Sequence, residues 1–61
     1  MYIKFQNVIY LKEQIVCVTR GVYDGRIYVH LKDGTIFDHE CEAGETAEGL
    51  FNEFHLKLIS L

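Results

Sequence analysis

Two Asp-Gly pairs, Asp24-Gly25 and Asp33-Gly34, interrupt runs of alternating apolar and polar side chains in a chain without proline. Asp-Gly between alternating runs is a strong local signal for a hairpin, because the two-residue turn it suits needs φ > 0 at both central positions. Without proline nothing prevents the flanking runs from pairing as strands. Taking both pairs as two-residue turns predicts strands at 15–23, 26–32 and 35–41. The run I-V-C-V-T-R from Ile15 to Arg20 has the strongest strand propensity in the chain.

Register follows from the turns. Around Asp33-Gly34, Leu31 faces Ile36, His30 faces Phe37, Val29 faces Asp38 and Tyr28 faces His39. Around Asp24-Gly25, Val22 faces Ile27, Arg20 faces Val29 and Thr19 faces His30, with a bulge expected at Gly21. Side chains alternate across a strand. Val16, Val18, Val22, Ile27, Val29, Leu31 and Ile36 then share an apolar face. Tyr28, His30, Lys32, Phe37, His39 and Cys41 share the other. Arg20, Asp38 and Glu40 fall among apolar neighbours in this scheme, so a bulge or strand end is expected near them.

Upstream, 2–6 and 8–12 alternate, with Ile3 and Phe5 on one face and Ile9 and Leu11 inward about a turn at Asn7. Downstream, 45–60 reads as a helix whose stripe is Ala47, Leu50, Phe51, Phe54, Leu58 and Leu61 at helical spacing. Glu45 and Glu48 suit the positive end of the helix dipole. Leu56 and Ile59 form a second, narrower stripe. The alternative for 56–61 is a last strand. The fold class expected is α+β in a single domain, residues 1–61: a five-stranded antiparallel β-meander with one C-terminal helix packed on one face.

Such a chain is short for a stable monomer, since ordering costs roughly 1–2 kcal/mol per residue and a small domain hides little surface. Its hydrophobic fraction is 49%, high for so little interior, which favours self-association. The formal charge is −3 and unevenly spread: residues 1–37 carry five basic and three acidic side chains, whereas 38–61 carry six acids and Lys57. That split predicts an acidic edge, Asp38, Glu40, Glu42, Glu45 and Glu48, facing a basic protein partner. The self-association face expected is Ile15, Cys17, Tyr23, Tyr28, His30 and Phe37, since contiguous apolar patches mark interfaces and aromatic rings dominate them.

Two further chemistries are suggested by residue type. His30, His39 and Cys41 have donor types that suit zinc, but no C-x-x-C or H-x-x-x-H spacing accompanies them, so no metal or other cofactor is expected. Tyr23, Tyr28 and Phe37 beside Arg26 and Lys32 resemble a stacking surface for single-stranded nucleic acid, the alternative function, which the negative charge opposes. Ser60 is the sole serine, Cys17 lies in a valine-rich run, and no glycine-rich phosphate cradle occurs, so an enzyme is not expected. Met1 is followed by no basic-then-apolar leader and no long apolar run, and the two cysteines do not make a disulfide framework. The expectation is a cytoplasmic interaction module, an inhibitor or adaptor in the style of small phage or mobile-element proteins.

Overall fold

The computed structural model describes residues 1–60. Five antiparallel strands form two sheets, and one helix follows them. β1 (Tyr2–Phe5) pairs with β2 (Val8–Leu11) as a hairpin, and a 3₁₀ turn at Lys12–Gln14 leads into β3 (Ile15–Arg20). β3, β4 (Arg26–Leu31) and β5 (Ile36–Glu40) form the second sheet in that order, with β4 central. The α+β class and the strand sequence are as expected, but the meander is divided: β2 and β3 belong to different sheets.

The helix, α1 (Ala47–Ile59), starts where Thr46 accepts a hydrogen bond from the Gly49 N–H at 3.0 Å. This cap satisfies one of the donors a helix start leaves unpaired. Leu50 and Phe54 are buried, with Phe51 and Leu58 half-buried beside them. The helix continues through Leu56, so the alternative of a last strand from that residue is not what forms. Leu61, the end of the expected stripe, lies outside the described residues.

The first hairpin reverses at Gln6-Asn7. Gln6 takes φ 52° and Asn7 stays out of the positive-φ region, the pattern of a two-residue turn with its positive φ at the first central position. Ile3 therefore pairs with Tyr10 and Phe5 with Val8, which places Tyr10 in the core. The inward positions expected for Ile9 and Leu11 are corrected, since both are exposed on the outer side with Tyr2.

Both Asp-Gly segments turn the chain, but by longer routes than two residues. Gly34 has φ 92° while Asp33 is not in the left-handed region, which excludes the mirror-image turn. Instead Leu31 O accepts from Gly34 N–H at 3.0 Å, and Thr35 O accepts from Leu31 N–H at 2.9 Å. This is a three-residue loop with glycine at the bulge position. Register shifts by one residue: Val29 faces Phe37, Tyr28 faces Asp38 and Ile27 faces His39. A shift of one turns every β5 side chain to the other face. Phe37, His39 and Cys41 therefore join Ile27, Val29 and Leu31, while Ile36 moves out to 56% exposure. Asp38 and Glu40 leave the apolar side, which resolves the conflict noted above.

The other pair closes a five-residue loop, 21–25, in which Gly21 N–H donates to Arg26 O. Asp24 is occupied in that loop, accepting from Arg26 N–H at 3.2 Å and from the Tyr28 hydroxyl. Arg20 now faces Ile27 and Val18 faces Val29, a shift of two that preserves face identity. Val22 and Tyr23 are lost from the strand and exposed, and a bulge between Ile15 and Cys17 leaves Val16 exposed.

The hairpin and the helix cover the same face of the three-stranded sheet. His39 shows this: its ring lies 4.9 Å from Phe5, 5.7 Å from Tyr10 and 6.5 Å from Phe54. Ile27 and Val29 lie fully buried on that face of β4. The core is thus three-sided, closed by aromatic edges that fill space efficiently for so short a chain.

Candidate functional site

Because both covering elements lie on one side, no layer of the described residues covers the opposite face of β3–β4–β5. Its rows follow from the pairing: Cys17, His30 and Ile36; then Thr19, Tyr28 and Asp38; then Arg26 and Glu40. Thr19 Oγ1 and His30 Nε2 are 3.1 Å apart. The Arg26 guanidinium donates to Asp38 at 2.6 Å and lies 3.7 Å from Glu40. Glu40 first and then Asp38 hold the Arg26 charge in place, raising its pKa. The hydrogen bond to Tyr28 holds the Asp24 carboxyl below its ordinary range, and the same bond pushes the tyrosine up. The polar end of the face is therefore internally paired, and its less polar end is Cys17, His30 and Ile36.

The second open feature is the edge of β3. This strand pairs only with β4, and none of its six residues is buried, although it is the segment best suited to be a strand. Beside it, Val18 and the helix residues Phe51, His55 and Leu58 line a cavity of about 250 Å³.

The residues expected to share a self-association face are divided. Cys17, Tyr28 and His30 do lie together on the open face, and Tyr23 stands 99% exposed in the 21–25 loop. Ile15 packs against the core, and Phe37 lies on the inner face with its ring 5.7 Å from Tyr10. Ile36, assigned to the core by the two-residue turn, occupies the position Phe37 was expected to hold. Tyr23, Tyr28 and Phe37 accordingly do not form one stacking platform, and Arg26 is already engaged.

The acidic edge is also divided. Asp38 and Glu40 are on Arg26, and Glu48 lies 3.8 Å from Arg20. Glu42 and Glu45 form a tight turn in which Glu45 Oε1 accepts from Glu42 N–H at 3.0 Å and Glu42 O accepts from Glu45 N–H. Both are exposed and make no ion pair among the described residues.

The metal trio is separated by the β5 register. His30 is on the open face, His39 is buried on the inner face, and Cys41 donates to Gly25 O at 2.9 Å. Among the described residues no three His, Cys, Asp or Glu side chains are grouped as ligands would be. No described helix is long and apolar enough to cross a membrane.

The pattern of the sequence missed the role of His39. Gln6 Oε1 accepts from His39 Nδ1 at 3.0 Å, so the ring proton sits on Nδ1 and Nε2 is left to accept from the Tyr10 hydroxyl. Gln6 Nε2 in turn donates to Glu40 O at 3.1 Å. Burial pushes the His39 pKa down and raises Tyr10 to about 12. Both groups are thereby held neutral, a structural clasp rather than an accessible acid–base pair.

No protein-family model, curated protein or solved structure matches the chain.

Proposed function

We propose that this chain is a non-enzymatic protein-interaction module, a small self-associating adaptor or inhibitor acting in the cytoplasm. The observation that carries this reading is the one-sided covering of the three-stranded sheet: hairpin and helix share a face, leaving the other face and the β3 edge to a partner. Antiparallel sheets tolerate one wet face when it is polar. Here that face carries Ile36 and an exposed Cys17 beside a fully paired ionic cluster, so one end is suited to packing. Free thiols at Cys17 and Cys41 are compatible with a reducing compartment.

Within this reading, Glu42 and Glu45 are the acids left to meet a basic protein surface, because Asp38, Glu40 and Glu48 already have internal partners. A mobile-element setting is consistent with an inhibitor of this size. Sedimentation across a range of micromolar concentrations tests the core of the proposal. The expected result is a reversible dimer or higher homo-oligomer, and a chain that remains monomeric throughout removes it.

A further inference from the structure

We propose that β3 pairs with β3 of a second copy, antiparallel and centred on Val18, joining two three-stranded sheets into one of six strands. This rests on the self-associating reading above and supplies its geometry.

Backbone direction identifies the edge. Gly21 N–H bonds to Arg26 O, so by alternation the backbone groups of Thr19 and Cys17 point to β4. Those of Val18 and Arg20 point away from the sheet, on the side where β3 has no paired strand among the described residues. A row of free donors and acceptors in that spacing is complementary to another extended strand. The edge is lightly protected: I-V-C-V-T-R contains no proline and no lysine, and its one charged side chain, Arg20, lies at the end of the strand. Its bulge lies before Cys17, leaving Cys17–Arg20 regular.

Charge selects a second copy as the occupant. At the Ile15 end of β3, Lys12 and Lys32 line a shallow cavity whose one acid, Glu13, already accepts a hydrogen bond from the Met1 nitrogen at 3.2 Å. At the Arg20 end, where Glu48 lies 3.8 Å from Arg20, the 42–48 segment enters the helix and brings Glu42 and Glu45, which make no ion pair among the described residues. Antiparallel pairing about a two-fold axis sets the basic end of each copy against the acidic end of the other. Centring on Val18 places the two valines opposite each other on the helix side. The cavities lined by Val18, Phe51, His55 and Leu58 then meet across the axis as one apolar seam.

The register gives a direct test. Centred on Val18, Cys17 of one copy faces Thr19 of the other as a non-hydrogen-bonded pair, with Cα atoms about 4.5 Å apart, within disulfide reach. A Thr19→Cys, Cys41→Ser chain under mild oxidation should form a covalent dimer, while Cys41→Ser alone should not. In parallel, a synthetic chain N-methylated at Val18 loses an outward donor but no bond to β4. Two such bonds vanish per dimer, and association should weaken roughly ten- to hundredfold, with circular dichroism confirming that the protomer folds. If that chain does not fold, the cross-link decides. A wild-type dimer that neither cross-links nor responds to N-methylation overturns edge pairing and leaves the open face as the interface. A wild-type chain that is monomeric at every concentration overturns both readings and leaves the β3 edge to a foreign strand.

Discussion

Tyr10 on β2 and His39 on β5 share a buried hydrogen bond that joins the N-terminal hairpin to the three-stranded sheet. Among the described residues the two sheets have no backbone ladder between them, so this contact and the rings around it do the joining. Gln6 extends the link from the hairpin turn to both the His39 ring and the Glu40 carbonyl. A buried polar group is favourable only when its hydrogen bonds are made, and here both ring nitrogens have partners. The clasp is therefore sensitive to any proton gained or lost within it.

Acid should loosen the fold through His39. Burial holds the folded-state pKa below the ordinary 6.5, and nearby Asp38 opposes this only partly. Above 6.5 the ring is neutral in both folded and unfolded chains, and its contribution is fully present. As pH falls below 6.5, the unfolded chain takes up a proton that the folded chain resists, so stability is lost progressively toward the lower folded value. Urea midpoints measured between pH 7.5 and 5 should fall. Replacing His39 with glutamine, which cannot titrate, should flatten this dependence even if the whole curve drops; an unchanged slope would count against His39 as its source.

Alkali should act on the other half of the bond. Tyr10 is raised from 10.0 to about 12, first by burial and then by Asp38. Its contribution is complete below pH 10 and is lost as pH rises from 10 toward 12, because the unfolded chain ionises first. The gap corresponds to about 3 kcal/mol at its full extent. Tyr10→Phe should remove this alkaline loss while costing roughly 1–3 kcal/mol at neutral pH, since it leaves His39 Nε2 without its donor. Ultraviolet titration of the folded protein should show the step near pH 12 in wild type and its loss in Tyr10→Phe, with the raised Tyr28 still present in both.

Glycine at position 6 should destabilise, although the backbone there favours it. Gln6 has φ 52°, and a non-glycine residue in that region costs roughly 1–2 kcal/mol. Gln6→Gly relieves this cost but loses the bonds to His39 and Glu40 and leaves the His39 Nδ1–H unpaired in the interior. Two hydrogen bonds at roughly 0.5–1.5 kcal/mol each, plus an orphaned buried donor at about 1–3 kcal/mol, outweigh the relief. Chemical denaturation should show a net loss; a more stable Gln6→Gly chain would mean that the side chain serves no structural purpose.

This turn also shows why sequence reasoning stopped where it did. Strand and helix positions are written in period-two and helical spacings, so β3, β4, β5 and α1 were legible from Ile15 to Ile59. Turn length was not, because Asp-Gly serves both a two-residue turn and a three-residue loop with a glycine bulge. The misplacement of Asp38 and Glu40 among apolar side chains carried the information that the register was off by one. Correcting it would have sent His39 inward and Ile36 outward, moving half the candidate surface. Cys17, Tyr28 and His30 survived because the neighbouring register was off by two, which leaves faces unchanged. Gln6 gave no comparable signal: a glutamine at positive φ is held there by distant partners that no local pattern displays.

The 21–25 loop yields the last prediction, because two of its residues compete for one space. A side chain added at Gly21 would overlap the Asp24 carboxylate, which accepts from the Arg26 N–H and the Tyr28 hydroxyl. Gly21 is not in the left-handed region, so alanine meets no backbone penalty there and its effect comes from displacing that carboxylate. Gly21→Ala should therefore break both bonds and loosen the loop. It should also move Tyr28, now raised mainly by its bond to Asp24, back toward the ordinary tyrosine value, and Asp24 back up toward 3.8. Asp24→Asn should return Tyr28 in the same direction without a steric clash, which separates loss of the charged acceptor from crowding. A normal Tyr28 titration in both variants, with the buried Tyr10 still ionising late, is the expected pattern. If Tyr28 titrates in Gly21→Ala as it does in wild type, the loop has accommodated the methyl group some other way and the Asp24–Tyr28 bond does not depend on the glycine.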